Sequence, residues 1–214
     1  MKKIKDYSLY LVTSAEYANG RSTYEIVEEA IAGGIDILQM REKHASREEL
    51  ISLGRKLAAL CRKNNIIFIV NDDPHLAKAV DADGVHLGQE DMERFPLDET
   101  RKIIGEDKLI GVSTHSLEEL QRAEKNNCNY IAFGPIFSTL TKDYSIGTEN
   151  IEKAAATSNK PVIFIGGIDL DNIDLVLERG AKNIAGIRAI VQAPDVRSKV
   201  KEFKERINMY KPES

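Results

Sequence analysis

The chain has 214 residues, of which 42% are apolar and 30% are charged, and its formal net charge is −4. This composition is typical of a globular protein, and it excludes both a largely disordered chain and a basic surface for nonspecific nucleic-acid binding. The apolar stretches are too short for a secretory signal or a membrane span, and the two cysteines lie far apart. We therefore expect a cytoplasmic protein with reduced thiols, which binds small molecules and neither nucleic acid nor membrane.

Eight short segments rich in β-branched and other apolar residues are predicted strands. Several contain continuous apolar runs, such as FIV and VIFI, which are typical of parallel strands buried on both faces. In chain order the predicted strands are residues 8–14, 36–42, 66–72, 84–89, 109–114, 130–136, 161–167 and 183–190.

Amphipathic segments with helix start and stop signals lie between these strands. Ser46 and Glu49, like Ser116 and Glu119, have the spacing of a capping box, in which each side chain bonds the other residue's backbone amide. The predicted helices are residues 23–34, 46–65, 116–127, 170–180 and 193–211, and the irregular region 90–108 indicates a short broken helix.

Repeated alternation of strand and helix predicts a single (β/α)8 barrel domain over residues 1–214, in the α/β class. The alternative is a doubly wound open sheet, but the first strand lacks the G-x-G-x-x-G turn that such sheets commonly carry. No change of composition and no Pro- or Ser-rich linker divides the chain. A homo-oligomer remains open, because nothing in the sequence fixes the oligomeric state.

Charged residues gather where predicted strands end. Arg41 and Lys43 follow the second strand, Asp72 ends the third, Asp91 follows the fourth and Lys142 follows the sixth. In a (β/α)8 barrel all these ends share the face that carries the chemistry. Two carboxylates without His or Cys partners suit Mg²⁺, which is commonly held together with phosphate oxygens and water. With three cations nearby, the pattern predicts a zone that binds Mg²⁺ and pyrophosphate.

A second anion zone is predicted after the seventh and eighth strands. Gly166, Gly167 and the turn before Ile187 would let backbone N–H groups approach an anion. Loops at this place in a (β/α)8 barrel frequently bind phosphate. The pair of glycines is equally compatible with a plain tight turn.

Simpler interpretations exist for several of the polar residues. Asp72 or Asp73 could cap a helix that begins at Pro74. His86 lies inside a predicted strand, which favours a hydrogen-bonded core or supporting histidine over a catalytic base, whereas His115 stays open between the two. Independent explanations of this kind do not predict that all these residues meet at one rim, and this coincidence favours a functional site.

Seven segments of the chain, in order, resemble the thiamine-phosphate synthase family: LQMREKHAS, VNDD, DADGVHLGQEDM, IIGVSTHS, YIAFGPIFSTLTK, PVIFIGGI and NIAGIRAI. The combination of Q-x-R-E-K, N-D, H-L-G-Q-x-D, T-x-T-K and I-G-G-I is highly specific. The resemblance implies a (β/α)8 barrel and a transferase of a non-methyl alkyl group. Such an enzyme joins 4-amino-2-methyl-5-(diphosphooxymethyl)pyrimidine to a thiazole phosphate, giving thiamine monophosphate and pyrophosphate. The thiazole phosphate would be either 2-(2-carboxy-4-methylthiazol-5-yl)ethyl phosphate or 4-methyl-5-(2-phosphooxyethyl)thiazole.

The resemblance also implies roles for individual positions. One Mg²⁺ would be held by Asp72 and Asp91. The pyrimidine pyrophosphate would contact Gln39, Met40, Arg41, Glu42, Lys43, Asn71, Ser113 and Lys142. Four of these residues would be catalytic, namely Arg41, Lys43, Ser113 and Lys142. The thiazole phosphate would contact Thr139, Leu140, Thr141, Gly167, Ile187 and Arg188.

Two positions depart from the family pattern. Family members often carry Ser where this chain has Arg188, so either the guanidinium or only the backbone N–H would meet the thiazole phosphate. Leu140 is bulkier than expected between the two threonines. Because the sequence shows no Ser-His-Asp or Cys-His arrangement, we expect a dissociative substitution without an enzymic nucleophile. The alternatives are a thiazole tautomerase that uses His115 as acid or base, and a non-catalytic sensor of phosphate ligands.

Overall fold

The computed structural model describes residues 2–139 and 144–212. Eight parallel strands close into a barrel, in which each strand pairs with the next and the last pairs with the first. The strands are β1 Leu9–Val12, β2 Ile37–Met40, β3 Ile67–Asn71, β4 Gly84–Leu87, β5 Leu109–Thr114, β6 Tyr130–Phe133, β7 Val162–Ile165 and β8 Asn183–Gly186. The predicted fold class and all eight predicted strands are confirmed.

Helices surround the barrel and follow the strands. They are α1 Thr23–Gly33, α2 Arg47–Lys63, α3 Pro74–Ala79, α4 Gln89–Arg94, α5 Leu97–Ile104, α6 Leu117–Lys125, α7 Ile151–Thr157, α8 Ile173–Leu177, α9 Arg188–Val191 and α10 Val196–Met209, with a 3-10 turn at Ala15–Tyr17. The irregular region 90–108 is indeed a broken helix, because α4 and α5 are separated at Phe95 and Pro96. Among the described residues, no helix is both long and apolar enough to cross a bilayer.

Two local predictions were wrong in part. The eighth strand ends at Gly186 and the chain turns into α9, whose Ile190 is fully buried, so strand and helix together gave a largely apolar run that only Arg188 interrupts. Ser116 accepts a hydrogen bond from the Glu119 amide at 3.1 Å, but the Glu119 carboxylate accepts from the amide of His115 at 2.7 Å. The capping box at the start of α6 is therefore only half formed.

The period-2 alternation of the strands divides the apolar residues into two clusters. Outward side chains of the barrel pack against the helices in the larger cluster, which includes Leu11, Phe68 and Phe164. Inward side chains such as Tyr10 and Ile37 form a smaller cluster inside the barrel. This alternation decides which residues at the strand ends point into the barrel mouth.

Candidate active site

The carboxyl ends of the strands surround a cavity of about 570 Å³. Barrel closure brings together side chains that are remote in the sequence, since they follow different strands. Eight of the predicted site residues line this cavity, namely Gln39, Arg41, Asn71, Ser113, Thr139, Gly167, Ile187 and Arg188. Three others, Leu140, Thr141 and Lys142, lie outside the described residues.

Four polar side chains enter the cavity from four neighbouring strands, β2 to β5. Gln39 on β2 donates through Nε2 to Asn71 Oδ1 on β3 at 2.5 Å. His86 on β4 meets Ser113 Oγ on β5 through Nε2 at 2.9 Å. Register pairs Asn71 with His86, so these side chains form one polar belt at the cavity floor. The belt provides hydrogen-bonding groups in a wall that is otherwise largely apolar.

The segment after β2 divides its side chains between the site and the scaffold. Met40 is buried in the outer cluster beside Gly54, so its side chain faces away from the cavity, contrary to a side-chain contact with substrate. Glu42 accepts hydrogen bonds from the amide of Ala15 at 2.7 Å and from the hydroxyl of Thr23 at 2.9 Å. Its carboxylate therefore fixes the β1 loop.

Arg41 presents its guanidinium to the cavity. Its backbone N–H donates to the hydroxyl of Thr13 at 3.0 Å, which fixes the start of the side chain. Within the part of the chain that the structure describes, no carboxylate or carbonyl oxygen pairs with this half-buried guanidinium. An unpaired guanidinium beside a cavity is a good receptor for phosphate oxygens, which it can bind in bidentate fashion.

Asp72 and Asp91 come together next to Asn71 and Arg41, which line the cavity, although neither aspartate is itself a lining residue. Burial of Asp72, and its hydrogen bond to and repulsion from Asp91, raise the pKa of Asp72 to about 7, although Arg41 and Lys43 oppose the shift. Asp72 has a left-handed backbone with φ of 65°, a strained conformation for a residue other than glycine. Asp91 accepts a hydrogen bond from the Gly88 amide at 3.0 Å. Two carboxylates held this close need a proton or a cation between them.

These two carboxylates fit Mg²⁺ better than a softer metal. No group of three or more His, Cys, Asp and Glu side chains occurs within residues 2–139 and 144–212, so these ranges hold no all-protein metal cage. Mg²⁺ usually takes one or two carboxylates and completes its shell with water and substrate phosphate. The chemistry of the donor set thus agrees with the predicted ion.

The loop after β7 passes very close to the loop after β6. Gly166 and Gly167 have φ of 104° and 65°. A Cβ atom on Gly167 would lie 2.8 Å from the Cβ of Phe137 and 2.9 Å from the carbonyl oxygen of Ser138. Glycine is therefore required here by both conformation and space, and the backbone lies directly on the cavity wall.

The structure shows which aspartate caps α3 and what environment each of the two histidines has. Asp73 is the residue that caps α3, since it accepts from the Leu76 amide at 2.9 Å and pairs with Arg47 at 2.7 Å. His86 is a buried, hydrogen-bonded residue, and burial lowers its pKa to about 4, so its ring stays neutral. His115 Nδ1 lies 2.5 Å from the carbonyl oxygen of Gly134.

The sequence interpretation missed two tyrosines of the cavity region. The hydroxyl of Tyr10 lies 2.8 Å from Gln39 Oε1 and 2.9 Å from the hydroxyl of Tyr130, which in turn lies 3.1 Å from His86 Nδ1. Tyr10 lies between two leucines in the sequence, and Tyr130 opens an apolar run after Asn129. Their positions on β1 and β6, with the inward alternation, are the only signal that could have identified them.

The chain was compared with protein families, curated proteins and solved structures. A family model described as thiamine monophosphate synthase matches residues 9–190. A thiamine-phosphate synthase from Halalkalibacterium halodurans is 44% identical over 203 residues, covering 94% of this chain and 95% of that protein. A thiamine-phosphate synthase from Caldicellulosiruptor saccharolyticus is 39% identical, covering 95% of this chain and 92% of that protein. The solved structure of a thiamine phosphate pyrophosphorylase from Pyrococcus furiosus is 37% identical with a TM-score of 0.87, covering 95% of this chain and 96% of that one.

Proposed function

This chain belongs to the thiamine monophosphate synthase family, and we propose that it joins 4-amino-2-methyl-5-(diphosphooxymethyl)pyrimidine to a thiazole phosphate. The products are thiamine monophosphate and pyrophosphate, and CO2 is released as well when the thiazole phosphate carries the 2-carboxylate. The chain is accordingly an enzyme, a transferase of thiamine biosynthesis. One observation carries the proposal: Arg41, whose guanidinium forms no ion pair among the described residues, the adjoining Asp72–Asp91 pair and the polar belt meet at one barrel mouth.

The diphosphate end of the pyrimidine would bind beside Arg41 and the two aspartates. Asp72 and Asp91 would hold Mg²⁺, which supplies positive charge to the leaving pyrophosphate. Arg41 adds a bidentate contact to the same oxygens, and Lys43, which is exposed next to it, adds a second cation. Lys142 stays a predicted catalytic residue from the family motif. This arrangement stabilises negative charge where it develops as the C–O bond breaks.

The thiazole phosphate would bind on the opposite side of the cavity. Gly167, Ile187 at the N-cap of α9 and Arg188 at its first position line this side. Amides at the start of a helix have no partner within the helix, so they can donate to phosphate oxygens. The guanidinium of Arg188 is exposed and has no partner among the described residues, so its side chain is available for the same phosphate.

The bond change requires no covalent enzyme intermediate. The methylene C–O bond breaks with its electron pair going to pyrophosphate, and the thiazole nitrogen donates its lone pair to the same carbon. The 4-amino group of the pyrimidine donates electrons to the cation that forms between these events. The structure does bring a serine and a histidine together, Ser113 and His86, but the other partner of His86 is a tyrosine hydroxyl. Without a carboxylate, this pair is not the triad of an activated nucleophile.

The dissociative order of events predicts a strong electronic effect in the substrate. An electron-withdrawing substituent on the pyrimidine ring should slow turnover sharply, because it destabilises the cation. Single-turnover rates across a series of substituted pyrimidine diphosphates would measure the slope. Rates that do not respond to the substituent would contradict the dissociative mechanism while leaving the overall reaction intact.

The direct test of function is product formation. Purified protein incubated with both substrates and Mg²⁺ should release thiamine monophosphate and pyrophosphate in equal amounts. Conversion of the thiazole phosphate alone to an isomer would instead indicate a tautomerase. Binding of the phosphates with no conversion would indicate a sensor.

Gly167→Ala should weaken binding of the thiazole phosphate. The left-handed φ disfavours alanine by about 1 kcal/mol, and the new Cβ would displace Phe137 and Ser138 from the cavity wall. We expect the KM for the thiazole phosphate to rise about fivefold, because a penalty of about 1 kcal/mol on binding corresponds to that change in affinity. The KM for the pyrimidine diphosphate should change much less.

Gly180→Ala is the matched control. Gly180 has a similar φ of 85°, but the nearest atom to its Cβ would be 4.0 Å away, and it lies outside the cavity lining. It should lose stability to a similar extent and keep both KM values. An equal rise of the thiazole phosphate KM in both variants would contradict a direct role of the Gly167 loop.

A further inference from the structure

A continuous chain of hydrogen bonds crosses the interior of the barrel. Ser113 Oγ lies 2.9 Å from His86 Nε2, and His86 Nδ1 lies 3.1 Å from the hydroxyl of Tyr130. The Tyr130 hydroxyl lies 2.9 Å from that of Tyr10, which bonds Gln39 Oε1 at 2.8 Å. The chain thus connects two groups of the cavity wall through three buried rings.

The direction of donation can be read from its Gln39 end. The Gln39 amide donates through Nε2 to Asn71 Oδ1, so its Oε1 atom is the acceptor for Tyr10. A phenol has a single proton. Since Tyr10 uses that proton in its hydrogen bond to Gln39, Tyr130 must be the donor in the hydrogen bond between the two tyrosines.

The same reasoning fixes the histidine. The Tyr130 hydroxyl donates its hydrogen bond to Tyr10, so its oxygen must accept a hydrogen bond from the N–H at Nδ1 of His86. Both ring partners of His86 are hydroxyls, and a buried imidazolium without a carboxylate partner would be costly. The ring is therefore neutral, and its unprotonated Nε2 accepts a hydrogen bond from the Ser113 hydroxyl.

We propose that Tyr10, Tyr130 and His86 are positioning residues that set the hydrogen-bonding polarity of the pyrimidine site. His86, held as its Nδ1–H tautomer, accepts a hydrogen bond from the Ser113 hydroxyl at Nε2, so Ser113 meets the ligand as an acceptor. Asn71 has its oxygen occupied by Gln39, so it meets the ligand as a donor. A 4-aminopyrimidine offers both matching groups, an amine N–H and ring nitrogens. This inference rests on the proposed function for the identity of the ligand.

Packing holds the hydrogen-bonded side chains in this arrangement. A Cβ atom at Gly111 would lie 2.0 Å from Cζ of Tyr130, so the missing side chain is what leaves room for the ring. Tyr10 and Tyr130 are at most 2% exposed. Because the rings cannot turn away, the polarity is built into the folded protein before any ligand binds. Ser113 would consequently accept from the amine of the pyrimidine rather than donate to a phosphate oxygen.

The tautomer can be measured without any substrate. In protein labelled with ¹⁵N-histidine at pH 7.5, the ring nitrogens of His86 should report a protonated Nδ1 and a bare Nε2. Assignment follows from the loss of these signals in His86→Gln. The opposite tautomer, or a doubly protonated ring, would overturn the proposal whatever the protein catalyses.

Two variants separate positioning from simple packing. His86→Gln places an amide oxygen near the position of Nε2 and keeps an acceptor for Ser113. His86→Asn keeps only a donor near the position of Nδ1. The Ser113 hydroxyl then has no acceptor at Nε2 and is free to donate a hydrogen bond to the ligand. We expect kcat/KM for the pyrimidine diphosphate to fall about tenfold in His86→Asn, the typical effect of one lost hydrogen bond. His86→Gln should recover most of this loss, and the KM for the thiazole phosphate should stay constant in both.

Tyr10→Phe provides a milder variant at the Gln39 end of the hydrogen-bond chain. It removes the donor to Gln39 Oε1 with little change of volume, and it should raise the KM for the pyrimidine diphosphate severalfold. Equal losses in the two His86 variants, or equal effects on both substrates, would indicate a merely structural role and overturn the proposal. If the wild-type protein forms no thiamine monophosphate, the proposed function fails, and the tautomer measurement still decides the polarity of the chain.

Discussion

Asp72→Asn is expected to reduce turnover by at least about 10²-fold while making the metal-free protein more stable at pH 8. The catalytic loss follows because asparagine cannot supply the charge that holds Mg²⁺ against the leaving pyrophosphate. The gain in stability follows from the raised pKa of Asp72, about 7, since burial and the neighbouring Asp91 oppose its ionisation. A residue that is selected for stability would not show these opposite effects.

The sign and the pH range of the stability effect are defined. The folded pKa of Asp72 lies above its unfolded value near 4, so its contribution to stability is full below pH 4 and is lost as pH rises through 7. The difference corresponds to at most about 4 kcal/mol, which partial exposure reduces to about 2 kcal/mol. At pH 8 the variant should therefore melt about 4 to 8 °C higher than the wild type. At pH 4 the two melting temperatures should agree.

Thermal unfolding in EDTA across this pH range measures the effect, and adding Mg²⁺ provides the second readout. Mg²⁺ should raise the melting temperature of the wild type at pH 8 but not that of Asp72→Asn. The neighbouring Asp73→Asn is the control, because Asp73 caps α3 and pairs with Arg47 outside the cavity. It should lose stability and keep its turnover. A destabilised Asp72→Asn at pH 8 would contradict our account of the carboxylate pair.

The adjacent aspartates show which part of the site can be predicted from the sequence and which part requires the structure. Both Asp72 and Asp73 follow a strand and precede a proline, and local pattern alone leaves either as the helix cap. The structure separates them by backbone conformation: Asp72 is left-handed and turns toward Asp91, whereas Asp73 is extended and caps α3. The eight strands and the rim of polar residues were predictable, because apolar runs and strand ends are local features.

The hydrogen-bonded chain inside the barrel was not predictable in the same way. Tyr10, His86 and Tyr130 lie on β1, β4 and β6, and only closure of the barrel brings their polar atoms into contact. In the sequence, each tyrosine is indistinguishable from an apolar core residue. Likewise, the sequence after Gly186 stays largely apolar although the strand has ended, because Ile190 and Val191 of the following helix are buried.

Arg41→Ala should lower turnover by about 10²- to 10³-fold, the usual cost of removing one charged group from a developing anion. The guanidinium lines the cavity and forms no ion pair with a carboxylate among the described residues, so it can bind a phosphate of the ligand directly. It also lowers the pKa of Asp72, which keeps that carboxylate ionised for Mg²⁺. Loss of Arg41 should thus also raise the Mg²⁺ concentration required for half-maximal rate.

Two further variants separate the geometry of Arg41 from its charge. Arg41→Lys keeps the charge but loses the bidentate fork, so it should retain about a tenth of wild-type turnover and a nearly normal Mg²⁺ requirement. Arg47→Ala removes a cation that is paired with Asp73 and does not line the cavity, and its turnover should match the wild type. Steady-state rates and calorimetric titration with pyrophosphate and Mg²⁺ measure both effects. Full activity in Arg41→Ala would contradict our placement of the leaving pyrophosphate beside Arg41 and the Asp72–Asp91 pair.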